Sequence, residues 1–389
     1  MWDIHKPLIQ NDRQYNLYKI AEELSGKVKL RATETDQQAA FSQENLYDLK
    51  EAGYLSLTLP GQYGGQNLSL YEFVLLQERL AVGDGSVALS IGWHLGIVME
   101  LRDEQLWKPE TLKWLANEIS KQKKLVNRAA TERATGSPTR GGIPETRAVP
   151  SEGSYLINGR KTFTTMADVL DYFIVSAFIE EEESIGWFII EKGQDGVDVD
   201  YTWDTLGMRG TGSDDLVLTN VKVPVDRLVE IKDPTKKEPA LPKGWLLHIP
   251  ACYLGIAIAA RNEALEFAKS YQPNSLTTTI SKVPHIQQKI GEMDLELLYA
   301  RHFMYSIAEK WDKEPENRMA LGPELAAVKT IATNAAQHVV DLAMKIAGGR
   351  GLSKNANFER YYRDVRAGLH NPPMDDAVIG MLAARAIND

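Results

Sequence analysis

The spacing of apolar residues changes twice along the chain, and this change restricts the fold more than any other feature of the sequence. In the first and last thirds, apolar residues recur every three or four positions, which is typical of helices packed on a core. Between them, short apolar runs separated by turn residues indicate strands. We therefore predict a mostly α, α+β protein with a helical domain over 1–124, a β domain over 125–232 and a C-terminal four-helix bundle over 233–389.

Individual elements follow from the same patterns. Helices are predicted over 43–52, 70–82 and 87–101, with Ser86 as the N-cap of the third. The clearest helix covers 325–346, because its apolar residues form one continuous stripe long enough for a bundle or a subunit interface.

The middle region is expected to contain several short strands. One strand should enter a hairpin turn at Asn158-Gly159, because these residues tolerate the positive φ angles of such turns. A second strand is predicted over Tyr172–Ile179, a nearly uninterrupted apolar run.

Composition excludes several classes of protein. A net charge of -9 and a pI near 5.5 argue against an extended nucleic-acid interface. The single cysteine, Cys252, excludes an internal disulfide and a cysteine-rich metal site, and its apolar surroundings predict a buried, unreactive thiol. The apolar run 249–260 is too short to span a bilayer, and the N-terminus lacks the pattern of a signal peptide. We expect a cytoplasmic protein with no membrane segment and no metal.

Six short motifs occur in an order and spacing that resemble the acyl-CoA dehydrogenase superfamily over nearly the whole chain. They are 59–65 (LPGQYGG), 129–137 (AATERATGS), 157–165 (INGRKTFTT), 206–211 (LGMRGT), 347–351 (AGGRG) and Arg363-Asp364. Each motif is weak alone, whereas the ordered set is specific. The fourth of them, at Arg209-Gly210-Thr211, could equally serve only to stabilise a loop of the β domain if taken by itself.

The resemblance implies a flavin cofactor, FAD in most of the family. It places Thr131 at the isoalloxazine, Ser137 near the pyrophosphate, Phe163 over the ring and Thr165 toward N5. The competing interpretation is that these hydroxyls are ordinary residues at strand ends.

A glycine-rich turn is expected to close the long helix over 325–346. The resemblance implies that Gly348, Gly349 and Gly351 approach the cofactor of a neighbouring subunit, and hence a homo-oligomer, a dimer or a tetramer. A helix C-cap alone would explain one of these glycines.

The carboxylate base of a typical dehydrogenase is missing. Counting from Arg363-Asp364 to the position where most relatives carry a glutamate leads to Pro372, and a second known position falls at 248–250 (HIP), which has no carboxylate. Asp375 or Asp376 could act as a displaced base. Alternatively, the two acidic residues cap a helix predicted over 377–386.

Histidines offer a different chemistry. The run from Arg363 to Pro372 also resembles flavin-dependent monooxygenases of the same fold, which often carry a histidine where this chain has His370. Such enzymes use reduced FMN or FAD supplied by a flavin reductase. His94 is a second candidate catalytic residue, although a structural role is the first interpretation for a single histidine.

Three functions are therefore open. The leading one is an acyl-CoA dehydrogenase-like flavin oxidoreductase that passes electrons to an electron-transfer flavoprotein, with a small-molecule substrate such as an acyl-CoA. The alternatives are a two-component monooxygenase and a non-catalytic relative that binds acyl-CoA or a partner. The region 273–279 lacks the Arg-x-x-Phe segment that grips FAD in the family, which favours weaker binding or FMN.

Overall fold

The computed structural model describes residues 4–135, 142–236 and 242–388, and confirms the predicted mostly α, α+β fold. The N-terminal helices are α1 (Asp12–Gln38), α2 (Gln43–Glu51), α3 (Leu70–Ala81), α4 (Gly85–Glu104) and α5 (Pro109–Gln122). The strands are β1 (Val126–Ala129), β2 (Arg147–Ser151), β3 (Ser154–Lys161), β4 (Tyr172–Ile179), β5 (Ser184–Glu191), β6 (Val197–Asp200), β7 (Asp215–Pro224) and β8 (Leu228–Lys232). The C-terminal helices are α6 (His248–Ser270), α7 (Pro284–Lys313), α8 (Gly322–Ala347), α9 (Phe358–Arg366) and α10 (Asp375–Asn388).

Helix α4 begins earlier than the sequence suggested. Its N-cap is Asp84, whose carboxylate accepts hydrogen bonds from the backbone N–H groups of Ser86 at 2.8 Å and Val87 at 3.4 Å. The prediction of Ser86 as the cap was wrong because the acidic side chain two residues upstream caps the first turn, in which Ser86 itself is a donor, and complements the positive helix end.

Two glycines let α4 approach the C-terminal helices closely. A Cβ atom at Gly92 would lie 2.4 Å from the His248 ring, and one at Gly96 would lie 2.3 Å from the Trp245 ring. Larger residues would push the helices apart.

One twisted sheet forms the middle of the chain. Its strand order is β6-β7-β3-β2-β4-β5-β8, and β1 pairs in parallel with β4 beside the end of β2. Strand β4 covers the predicted residues and pairs with β5 along its whole length.

The predicted hairpin turn at Asn158-Gly159 was wrong. These residues lie within β3 at a bulge opposite β7, and the chain turns instead at Glu152-Gly153. Gly159 is required for another reason, because a Cβ atom there would lie 2.3 Å from the Thr146 hydroxyl oxygen.

The C-terminal bundle centres on α6 and α8, which pack against each other and against α3 and α7 respectively. The helical stretch Gly244–Ser270 is long and apolar enough to cross a membrane, but 94% of its most apolar window is buried, so it is a core helix. Cys252 lies in it, buried as predicted, and burial raises the pKa of its thiol well above the ordinary value.

A buried ion pair joins the N-terminal helices to this bundle. Arg301 on α7 donates two hydrogen bonds of 2.8 Å to the carboxylate of Glu78 on α3. Both side chains are almost fully buried, so the pair is shielded from solvent.

Candidate functional site

Two loops meet where β1 and β3 end. After β1 the chain reaches Thr131, whose carbonyl accepts a hydrogen bond of 2.8 Å from the backbone N–H of Thr162. On β1 itself, Asn127 Nδ2 donates to the carbonyl of Thr165 at 3.2 Å. These bonds bring Thr131, Phe163 and Thr165, three residues that the family resemblance assigned to a flavin, into one region.

Phe163 is held in an unusual position. Its φ angle of 55° lies in the left-handed region, which is costly for an aromatic residue, and Met166 nearby has a φ of 64°. The Phe163 side chain is 64% exposed and packs edge-on against Trp203, with ring centroids 5.8 Å apart. Phe163 therefore presents most of its ring to solvent from a costly backbone conformation.

The hydroxyl of Thr165 belongs to a short chain of hydrogen bonds. Ser213 Oγ donates to Thr165 Oγ1 at 3.0 Å, and Thr211 Oγ1 lies 2.8 Å from Ser213 Oγ. Because Ser213 gives its only hydroxyl proton to Thr165, Thr211 must donate to Ser213. The proton of Thr165 is then left to donate to another acceptor.

The loop 206–211 connects this region to α9. Met208 N donates to Asp364 Oδ1 at 2.6 Å, and Arg363 donates to the carbonyl of Leu206 at 3.0 Å. Gly207 is pressed against the backbone of α9, since a Cβ atom there would lie 2.2 Å from the Arg363 carbonyl oxygen. Burial raises the pKa of Asp364 to about 7, although the Met208 N–H opposes this.

The two acidic candidates for a base lie at the start of α10. Asp375 accepts hydrogen bonds on α8 from Thr330 at 3.1 Å and Asn334 at 2.9 Å, and pairs with Lys329 at 3.4 Å. Burial would raise its pKa, but these partners outweigh burial and hold the pKa below the ordinary value. Asp376 is exposed and accepts from the N–H of Ala377 at 2.8 Å. The helix begins at Asp375, two residues before the predicted start.

His370 ends the short 3-10 turn that follows α9, and it is exposed. The next residue, Asn371, accepts a hydrogen bond of 2.5 Å from the hydroxyl of Tyr253 on α6. Pro372 and Pro373 follow, so the position of the usual glutamate carries no ionisable group.

His94 is fully buried and both ring nitrogens have backbone partners. Val126 N donates to Nδ1 at 3.2 Å, and Nε2 lies 2.9 Å from the carbonyl of Leu55. Burial lowers the pKa of His94 to about 4, so the ring is neutral at physiological pH. In this structure His94 joins α4 to β1.

The glycine turn closes α8 on the protein surface. Gly348 has a φ of 61°, and Cβ atoms at Gly348 or Gly349 would meet nothing within 4 Å. Gly351 packs on Ala347. In the described part of the chain, no hydrogen bond connects this turn to Thr131 or Thr165. Ser137 lies outside the described residues.

Sequence reasoning missed Asn127 and Ser213. Asn127 directly follows the apolar residues Leu125 and Val126, and this change of polarity could have marked a side chain that bonds across to another segment. Ser213 lies two residues after Thr211, and this repeat of hydroxyls could have suggested a shared hydrogen-bond chain.

Comparison with protein families gives three consecutive matches. The acyl-CoA dehydrogenase N-terminal domain matches residues 17–104, the middle domain 127–221 and the C-terminal domain 247–369. YdbM of Bacillus subtilis (strain 168), which is named as a provisional acyl-CoA dehydrogenase, is 50% identical over 97% of this chain and 98% of its own length.

More distant relatives have different names. A 3-(aryl)acrylate reductase of Clostridium sporogenes is 30% identical over 86% of this chain and 88% of its own length. A dibenzothiophene monooxygenase of Mycolicibacterium goodii is 27% identical over 93% of this chain and 92% of its own length.

Solved structures share the fold. TdsC of Paenibacillus sp. A11-2, determined with FMN and indole, has a TM-score of 0.87 at 22% identity, covering 96% of this chain and 97% of its own. Butyryl-CoA dehydrogenase of Megasphaera elsdenii has a TM-score of 0.85 at 23% identity, covering 98% of this chain and 99% of its own. The chain belongs to the acyl-CoA dehydrogenase superfamily.

Proposed function

We propose that this chain is a flavin-dependent monooxygenase that receives reduced FMN or FAD from a separate reductase. One oxygen atom of O2 goes to a small organic substrate, and the other leaves as water with two electrons from the reduced flavin and two protons. The observation that carries this proposal is the lack of a carboxylate at both expected base positions, Pro372 and 248–250. The displaced candidate Asp375 is held by Lys329, Thr330 and Asn334 on α8.

The proposed flavin crevice is the space between the loops that follow β1 and β3, and the residues around it fit an isoalloxazine ring. Phe163 offers an exposed aromatic face, Thr165 has a hydroxyl proton to donate toward a ring nitrogen, and Thr131 lies beside them with a half-buried side chain. A bound reduced flavin would supply the two electrons for activating oxygen. These three side chains would orient the ring, and the 206–211 loop would hold Thr165 in place.

His370 is the proposed proton-transfer residue. Its side chain is exposed, and the chain around it is fixed by the hydrogen bond between Asn371 and Tyr253. An imidazole can accept and return a proton near neutral pH, which a prolyl ring cannot do. The dibenzothiophene monooxygenase relatives support an oxygenase reaction on the same fold.

A second candidate is an acyl-CoA dehydrogenase or a reductase of related chemistry. The name of the 50% identical relative favours it, and so does the 3-(aryl)acrylate reductase. It requires Asp375 or Asp376 to reach the substrate. Asp376 is the less restrained of the two, since within the described residues its side chain bonds to the N–H of the adjacent Ala377 alone.

One experiment separates the two reactions. The protein is loaded anaerobically with dithionite-reduced FMN and mixed with ¹⁸O2 and indole or dibenzothiophene, while oxidised FAD-loaded protein is mixed with butyryl-CoA. The proposal predicts a product carrying one ¹⁸O atom and no bleaching by butyryl-CoA. His370→Asn should lower product formation by about tenfold or more, whereas Asp376→Asn should leave it unchanged. Bleaching by butyryl-CoA that disappears in Asp376→Asn would establish the dehydrogenase instead.

The proposed enzyme is a homo-oligomer. Leu295, Leu298 and Tyr299 share one face of α7 and are all substantially exposed, as are Ile379 and Ile387 on α10. Exposed apolar faces of this kind mark protein interfaces. Light scattering on the purified protein tests this, and a monomeric mass at micromolar concentration would contradict it.

A further inference from the structure

A buried ion pair lies directly behind the two loops that form the crevice. Lys161, the last residue of β3, places its Nζ 2.5 Å from Oε1 of Glu132, which follows Thr131. The exposed fractions of the two side chains are 0% and 1%. Neither group can therefore touch a ligand, and any effect on a ligand must pass through neighbouring residues.

The carboxylate of Glu132 also holds a third segment. It accepts hydrogen bonds from Thr146 N at 3.1 Å, from Thr146 Oγ1 at 2.6 Å and from the N–H of Glu145. The ammonium of Lys161 donates a further bond of 3.1 Å to Ser176 Oγ on β4. One pair of charges thus links the loop after β1, the approach to β2, the end of β3 and the middle of β4.

The pair is closed by a backbone bond. Thr131 directly precedes Glu132 and Thr162 directly follows Lys161, and the N–H of Thr162 bonds to the carbonyl of Thr131 at 2.8 Å. The ion pair and this backbone bond therefore link the same two loops at adjacent positions. Thr131 and the strained turn at Phe163 lie next to these links, so the spacing of the two loops depends on the pair.

Both groups of the pair carry charge at neutral pH, although burial works against the charge of Lys161. Burial lowers the pKa of Lys161 to about 8, although Glu132 opposes the change. Burial would raise the pKa of Glu132, but Lys161, Thr146 and the Glu145 N–H outweigh it and keep the pKa below the ordinary value. Removing one partner leaves a charged or desolvated group with no counterpart, and the surrounding loops must move to solvate it.

We propose that Glu132 and Lys161 are positioning residues for the flavin, setting the distance between Thr131 and the Phe163–Thr165 turn. The inference rests on the proposed function only in that a flavin occupies this crevice. If the pair were purely structural, its removal would lower stability without changing how the folded protein binds flavin.

The test compares three variants with a matched control. Glu132→Gln removes the negative charge at nearly constant shape, Lys161→Met removes the positive charge, and the double variant removes both. Glu78→Gln is the control, because the Glu78–Arg301 pair is equally buried but lies between α3 and α7. The measurements are the melting temperature of the flavin-free protein and the Kd for FMN and FAD, oxidised and reduced, below that temperature. Visible circular dichroism of the bound flavin reports its geometry.

Each single variant should weaken flavin binding by about tenfold and change the dichroism. The double variant should regain part of the melting temperature that the single variants lose, but less of the lost flavin affinity. Glu78→Gln should lower the melting temperature with Kd within about twofold of the parent. If a single variant does not fold, flavin affinity is compared instead in the double variant and in Thr146→Val, which removes one hydrogen bond to Glu132.

Flavin affinities within about twofold of the parent in the folded variants, or an equal loss in Glu78→Gln, would overturn the positioning role. If the parent protein binds neither flavin, the proposed function fails instead, so the two failures are distinguishable.

Discussion

Replacing Asp364 by Asn should change how stability depends on pH. Asp364 is buried beneath the 206–211 loop and accepts a hydrogen bond from Met208 N at 2.6 Å. Burial raises its pKa from 3.8 to about 7; Asp36 and Asp84 add to the rise, whereas Met208 and Arg360 oppose it. Asn keeps the acceptor oxygen for Met208 and does not ionise.

The sign of the effect follows from the direction of the pKa shift. Between pH 4 and 7 the folded protein keeps the Asp364 proton and the unfolded chain has lost it, so stability falls as the pH rises through this window. The full shift corresponds to about 4 kcal/mol, of which about 3 kcal/mol falls between pH 5 and 8. Asp364→Asn should therefore gain stability relative to the parent over that interval.

The assay is the melting temperature at several pH values from 5 to 8. The melting-temperature difference between Asp364→Asn and the parent should shift in favour of the variant by roughly 3–4 °C as the pH rises. Asp376→Asn, which changes an exposed aspartate, is the control. Its melting temperature should depend on pH in the same way as that of the parent. Parallel profiles for Asp364→Asn and the parent would refute the reasoning, because Asp364 would then be ionised throughout.

Three further predictions concern the site and its supports. Thr165→Val should weaken flavin binding about fivefold, measured by fluorescence titration, because it removes one hydrogen-bond donor; an unchanged Kd would remove Thr165 from the site. His94→Phe should lower the unfolding free energy by about 2–3 kcal/mol, because it leaves Val126 N and the Leu55 carbonyl unpaired. The pH profile of activity should keep its shape in this variant, and a lost titration step would give His94 a catalytic role. Gly207→Ala should destabilise by about 1–3 kcal/mol in denaturant unfolding, whereas Gly349→Ala should change stability by less than about 0.5 kcal/mol; equal effects would contradict the close contact with α9.

Elements with strong local patterns could be predicted well from the sequence. Strand β4 has the predicted bounds because its apolar run is bounded by polar residues, and α8 extends only a few residues beyond the predicted stripe. Local signals failed where a distant residue decided the outcome. The Asn158-Gly159 pair suggested a turn, yet its glycine is needed because Thr146 packs against it.

In the site, too, features set by local sequence could be predicted and features set by distant residues could not. The hydroxyl and aromatic residues around Phe163 could be named from their motifs, since these are local in sequence. The partners of Asp375 on α8 could not be predicted, because they depend on how two helices 40 or so residues apart pack together. The bonding of both His94 nitrogens likewise depends on Leu55 and Val126, which come from separate elements.

The central claim is that the crevice at the ends of β1 and β3 holds an isoalloxazine ring. A crystal structure of the protein soaked with FMN tests it most directly. We predict that the ring lies against the Phe163 side chain, with a ring nitrogen about 3 Å from Thr165 Oγ1. Flavin density elsewhere on the protein, with Phe163 and Thr165 free of contact, would contradict the account.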